Sequence, residues 1–176
     1  MGSIKFVFFL LAASVADVQW GSLVVSILVC QAAGLLGLPF TMKSIPTWFK
    51  TLRKPSFEPP PWVFGPMWTL LYTLMGISLY LVWVLPESTP GRGLALGVFA
   101  VQWFLNAIWS PVFFGWKKPW VAFGVIVPML ADIILTMICF SRLDATAAWL
   151  LSPYALWVFF AAALNFAIAK LNPKGK

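Results

Sequence analysis

The chain has 176 residues, 61% hydrophobic and only 10% charged, and its mean hydropathy is +0.91. A soluble domain of this length covers its surface with about 25% charged residues, so an ordinary water-soluble fold is excluded and lipid is the natural solvent. The 12 Lys and Arg against 5 Asp and Glu form no basic stripe on a soluble domain, which gives no nucleic-acid partner. The absence of histidine removes His-based acid–base chemistry and His-ligated zinc or haem.

In chain order, the first feature is an apolar stretch over Ile4–Ala16 around Lys5, ending Ser14-Val15-Ala16. It reads either as a signal-like segment with a cleavage site or as a short retained extension. Asp17 and Gln19 argue against one unbroken helix through Phe40, so residues 1–19 stand apart from the rest of the chain. Five stretches of about 20 apolar residues then read as transmembrane helices: about 20–41, 62–85, 94–114, 120–140 and 145–169. Together they predict an all-α membrane protein, a five-helix bundle over 20–173 with a basic tail at 174–176. Most connections are short. The first, 42–61, is long and rich in proline, aromatics and base.

The charges sort with this count. Lys43, Lys50, Arg53, Lys54, Lys117, Lys118, Lys170, Lys174 and Lys176 fall on one side, and Lys5, Arg92 and Arg142 on the other. Nine against three is a positive-inside bias, so the long loop and the C-terminus are expected to face the cytoplasm. Pro66, Pro111, Pro128 and Pro153 lie inside spans and predict kinks, or helices splayed around a pocket. Gly93 and Gly97 make a small-xxx-small pair at the start of the third span. Ala100 continues their face, a spacing that lets a second copy approach closely and predicts a homodimer through this helix.

Catalytic constellations are missing: there is no phosphate loop, nucleophile elbow or carboxylate pair. Cys30 and Cys139 have no partners at metal spacing, so no metal site is expected. Asp132 is the one acid well within a span, either a functional group or a polar contact between helices. Aromatics are abundant, with 11 Trp, 16 Phe and 3 Tyr. Trp20, Trp62, Trp116, Trp120 and Trp149 suit the membrane interfaces. Others form stripes at helical spacing: Trp68 and Tyr72; Gln102, Asn106, Trp109 and Phe113; Tyr154, Trp157, Ala161 and Asn165. Amides beside indoles at this depth must face protein, water or a ligand. If the stripes converge they could line a flat-walled cavity; otherwise the rings pack on one another and the amides join helices.

A resemblance bears on that choice. The stretch Leu52–Trp83, with Arg-Lys-Pro-Ser-Phe-Glu-Pro-Pro-Pro-Trp-Val-Phe-Gly-Pro-Met-Trp inside it, resembles the translocator protein family (TspO/MBR, peripheral benzodiazepine receptor-like). So do Leu105–Gly115 (Leu-Asn-Ala-Ile-Trp-Ser-Pro-Val-Phe-Phe-Gly), Ser152–Trp157 and Ala163–Phe166. The resemblance implies a five-helix bundle, often dimeric, binding tetrapyrroles of the porphyrin or haem type and similar flat hydrophobic ligands, for transport or stress-linked sensing. It puts cavity residues at Trp68, Asn106, Trp109, Phe113, Trp157 and Ala161, beside Tyr72 and Gln102 of the same stripes. It makes the first loop a lid that includes Arg53, Lys54, Pro55, Phe57, Pro59, Pro60 and Pro61. Light- and oxygen-dependent porphyrin degradation by pocket tryptophans is the alternative role, without a resident cofactor. Phe166 stands where the animal sterol pattern has Tyr, ahead of Lys170, which weakens any expectation of sterol binding. The ending looks bacterial and predicts a bacterial inner membrane, with an organellar membrane as the alternative.

Overall fold

The computed structural model describes residues 18–173. The expectations placed on residues 1–16 and on the tail 174–176 lie outside them. The elements are α1 (Trp20–Ser44) running on through a π-helical turn (Ile45–Phe49), α2 (Pro61–Trp83), and α3 (Arg92–Ser110) with its own π turn (Pro111–Gly115). They continue with α4 (Pro119–Ser141), α5 (Ala145–Leu150) and α6 (Ser152–Leu171). Among the described residues, five helical stretches are long and apolar enough to cross a membrane: Trp20–Phe49, Pro61–Trp83, Arg92–Gly115, Pro119–Ser141 and Ala145–Leu171. The last four lie close to the expected limits.

The first span runs past its expected end at residue 41. Lys43, Pro46 and Lys50 read as loop residues, yet the helix continues to Phe49 by widening into a π turn. Proline has no N–H and crowds the carbonyl four residues back. Here the turn that follows the proline widens, and such π turns mark where a helix absorbs an irregularity. Pro111 does the same in the third span, where Trp116 N–H donates to Pro111 O at 2.9 Å.

The irregular part of the lid therefore shrinks to about 52–60. Its far edge moves too. Pro60 is the last lid residue, extended at φ −54° and ψ 139°, and its carbonyl accepts from Val63 N–H at 3.0 Å. Pro61, expected in the lid, instead opens α2, where a missing N–H costs nothing. The fifth span is broken at Leu151, where Pro153 cannot donate to Trp149 O. The Ser152 hydroxyl takes that carbonyl instead, at 2.7 Å.

The spans pack antiparallel around a core that includes Cys30, Leu71, Met75, Ile133, Tyr154 and Val158, each fully buried. Side chains such as Leu28, Leu35, Leu156 and Phe159 point outward and are exposed, as lipid-facing positions must be. One end of the bundle gathers the π turns, the lid and the end of α6. Trp48 meets Phe113 and Arg53 bonds Asn172 there. Lys43, Lys50, Arg53, Lys54, Lys117, Lys118 and Lys170 lie at this end, as the charge sorting requires. Arg92 and Arg142 lie at the other.

The far end is closed by polar caps. Arg92 donates to Trp83 O at 2.6 Å and to Val82 O at 3.4 Å, satisfying carbonyls that the end of α2 leaves free. Asp144 caps α5 by accepting from Ala147 N–H at 2.8 Å. Gln19 N–H donates to the Tyr80 hydroxyl at 3.0 Å, and α1 begins at the next residue.

Candidate functional site: an aromatic seam beneath the lid

The stripes on α2, α3 and α6 converge. At mid-depth a polar chain joins them: Tyr72 OH donates to Asn106 Oδ1 and Asn106 Nδ2 donates to Tyr154 OH, both at 2.8 Å. Tyr154 OH points on to Met129 Sδ of α4 at 3.7 Å. Asn106 sits between two hydroxyls with both ends of its amide used. All three residues are buried, so each bond is made where an unmade one would cost about 1–3 kcal/mol. Trp68 stacks on Tyr72, centroids 5.4 Å apart and planes at 25°, and presents an edge contact to Tyr154 at 6.4 Å. Gly34 of α1 lies against the Tyr72 ring, where a Cβ would collide with it.

Toward the lid the seam becomes almost wholly aromatic. Trp109 stacks on Phe113 at 5.1 Å, and Phe113 receives the edges of Trp48, Phe49 and Phe114. Trp109 Nε1 donates to Asn165 Oδ1 at 3.2 Å. Asn165 Nδ2 in turn donates to Pro119 O at 2.8 Å, tying α3, α6 and the start of α4. On the opposite wall, Phe64, Trp157, Phe160 and Phe57 form a run of four rings with successive centroids 5.9, 5.5 and 6.2 Å apart. This run reaches from α2 across α6 to the lid. Among the described residues, two surface grooves lie elsewhere: one along α1 and the end of α2, the other between α4 and the α5–α6 break.

Of the residues chosen from sequence, Trp68, Tyr72 and Asn106 are joined by direct contacts, and Trp109 and Phe113 are joined to each other. Trp157 and the buried Ala161 lie on the facing helix. Within each wall the rings touch one another, and Trp68, Trp109 and Trp157 are half-buried. Gln102, one turn before Asn106 on α3, is fully buried with neither amide atom hydrogen-bonded, and the Trp157 N–H is buried and likewise unpaired. Asp132 is half-buried, with one carboxylate oxygen enclosed and unpartnered.

In the lid, Lys54 pairs with Glu58 at 3.0 Å and lies over the Phe49 ring at 4.1 Å. Arg53, Phe57 and Pro60 are exposed and Pro55 is half-buried. Pro60 is the exposed residue at which the lid joins α2. Gly93, Gly97 and Ala100 are exposed on the outer face of α3, with open space above both glycines. Phe166 is partly exposed and packs on Trp120 and Phe123.

Sequence reasoning missed Phe64, Phe160, Trp48, Phe49 and Asn172. Phe64 is four residues before Trp68 and Phe160 three after Trp157, so extending the stripes by one turn finds both. Trp48 and Phe49 were hidden by assigning their segment to the loop. No sequence periodicity points to Asn172.

An intramembrane bundle of five spans, built round a tryptophan-rich seam with a short aromatic lid, defines a class of integral membrane protein. Residues 26–171 match the model of the TspO/MBR family. Over 148 residues the chain is 42% identical to the tryptophan-rich protein TspO of Chlorobaculum tepidum, covering 82% of this chain and 91% of that one. The tryptophan-rich protein TspO of Archaeoglobus fulgidus is 43% identical over 150 residues, 85% and 96% of the two chains. The human translocator protein is 36% identical over 126 residues, 71% and 75%. The chain belongs to the TspO/MBR family.

Proposed function

We propose that this protein binds tetrapyrroles of the porphyrin or haem type, and similar flat hydrophobic molecules, within the aromatic seam, and serves in their transport or in stress-linked sensing. The supporting observation is the convergence of Trp68, Trp109, Phe113 and Trp157 from three helices under one lid. Each ring offers a face or edge to a planar guest in a water-poor setting. Phe57 of the lid is in ring contact with Phe160 on the Trp157 wall, so a guest seated between the walls couples to movement of the lid. Gln102 and the Trp157 N–H supply unpaired hydrogen-bonding groups that a ligand can satisfy, whereas Asn106 is already committed to the two tyrosines. Arg53 and Lys54 carry positive charge where porphyrin propionates would emerge.

The test is a titration with protoporphyrin IX in the dark, read by tryptophan quenching, on the wild type and on a Trp68→Phe, Trp157→Phe double variant. Saturable quenching that weakens in the variant is expected. Linear quenching identical in both proteins means that porphyrin only partitions into the detergent. The half-buried Trp157, whose enclosed N–H is unpaired, favours a second reading, photo-oxidative breakdown of bound porphyrin. Illumination separates the two, because a carrier returns porphyrin unchanged and a degrader returns new products.

The same reading has the lid end cytoplasmic in a bacterial inner membrane, supported by the clustering of the basic residues at that end. It also has two copies meeting across Gly93, Gly97 and Ala100, supported by the unobstructed space above that face. Gly97→Leu should abolish cross-linking of the dimer; full cross-linking in the variant would rule this face out.

A further inference from the structure

We propose that Asn172 is the latch of the lid, a positioning residue whose carboxamide ties the 52–60 segment to the end of the fifth span and sets how fast the seam opens. The inference rests on the ligand-binding reading for its functional consequence, but not for its geometry.

Asn172 follows the last residue of α6, and its amide is used completely. Oδ1 accepts from Arg53 N–H at 3.0 Å, while Nδ2 donates to Arg53 O at 2.9 Å and to Ile168 O at 2.8 Å. Only one orientation of the carboxamide satisfies all three. Flipped, its NH2 would face an N–H and its oxygen would face two carbonyls. The side chain thus pairs with both backbone groups of Arg53 as a neighbouring strand would, across 119 residues of sequence.

Two features make this a latch rather than a general packing contact. First, the side chain is held from the helix side before the lid arrives. Ile168 O accepts both from Nδ2 and from the Asn172 N–H, the latter at 3.1 Å, and so fixes the side chain's position. The lid therefore docks on a preformed partner. Second, among the described residues it supplies the only hydrogen bonds from the lid to the fifth span. The Lys54–Glu58 ion pair lies within the lid itself, and Phe57 meets Phe160 only through ring edges. Beneath the latch lie Leu52, Ile168, Leu164 and Phe113, buried in one apolar cluster that Trp109 and Phe160 flank. When the amide releases Arg53, only the apolar contacts of Leu52 and the Phe57–Phe160 ring contact hold the lid segment to the fifth span's cluster. Both backbone groups of Arg53 then face solvent and can be hydrated, so the break is reversible, as a gate requires.

The experiment measures hydrogen exchange at the Arg53 amide in the full chain in lipid nanodiscs, with protoporphyrin IX dissociation followed in parallel. Asn172→Ala should raise Arg53 exchange at least about tenfold and speed dissociation by a comparable factor, while amides of α2 and α4 exchange as before. Arg53→Cys with Asn172→Cys, oxidised to a disulfide, should slow dissociation, and reduction should raise it above the wild-type rate, as Asn172→Ala does. Unchanged Arg53 exchange in Asn172→Ala overturns the latch. Faster exchange with unchanged dissociation overturns its role as a gate. If the wild type binds no porphyrin, the binding reading falls by itself, and the exchange measurement still decides whether Asn172 holds the lid.

Discussion

The two ends of the bundle are built on different principles. At the far end, turns are short and the helix termini are capped by specific side chains: Arg92 on the carbonyls of α2, Asp144 on α5, and Ser78 OH on Ala147 O at 2.7 Å. Apolar packing there is regular, as in the parallel stack of Phe99 on Phe140 at 5.8 Å. At the lid end two spans each contain a π turn, and many of the contacts between elements are aromatic edges. Ring contacts are weakly directional and re-form after a shift, whereas a capped carbonyl has one good geometry. The far end is thus a fixed base and the lid end an adjustable mouth. Asn106, with its two tyrosines, stands at the boundary between them.

That boundary is where substitution should cost most. Asn106→Leu leaves the Tyr72 and Tyr154 hydroxyls short of partners in a buried setting, a loss of about 3 kcal/mol, and a clear fall in the thermal midpoint in detergent is expected. Tyr72→Phe removes one of the two bonds and should cost less. If Asn106→Leu melts with the wild type, the polar chain does not join the halves and the contrast drawn between them fails.

Gln102 should act in the opposite direction. A fully buried amide with no partner is a standing cost. Gln102→Leu, similar in volume, should therefore raise the stability of the empty protein by about 1–2 kcal/mol while weakening porphyrin binding. Higher stability with weaker binding is the mark of a group kept for function at the expense of the fold. A variant that is less stable than the wild type would mean that the amide is satisfied within the protein and is part of the fixed base.

The far end was the more legible part of the sequence. Four of the five spans were bounded to within about two residues by hydropathy and by the charged or turn residues beside them, because those are the terms that decide where a helix meets water. The mouth was harder to read. Pro46 ordinarily stops a helix, but here a π turn carries the chain past it, and the aromatics beyond became part of the core instead of the lid. The stripes predicted which faces meet, since periodicity fixes direction along a helix. They left open whether the rings would line a space or fill it, because that depends on how closely the helices approach. Gly34 against Tyr72 and Gly76 against the backbone of Ile27 set that approach for α1 and α2. The Asn172–Arg53 pairing had no local signature, being a bond between a side chain and a distant backbone.

The smallest expected effect concerns the charges of the mouth. Lys54 and Glu58 are one helical turn apart in number and partly exposed, with side chains 25% and 17% accessible. Such a pair contributes well under about 1 kcal/mol to stability, so Glu58→Gln should melt almost as the wild type does. Its effect should appear in kinetics. Removing the carboxylate frees Lys54 and leaves the lid more positive, which draws in a ligand bearing propionates. Protoporphyrin association should quicken about two- to threefold at low salt and return to the wild-type rate near 0.5 M salt, where screening acts within about 4 Å. Arg53→Glu with Lys54→Glu should slow association under the same conditions. Since the far end carries Arg92 engaged on carbonyls, Arg92→Gln should leave the association rate and its salt dependence unmoved. Equal salt dependence in all of these proteins would mean that the mouth's basic residues serve the membrane surface alone. The adjustable end would then owe its ligand preference to its rings.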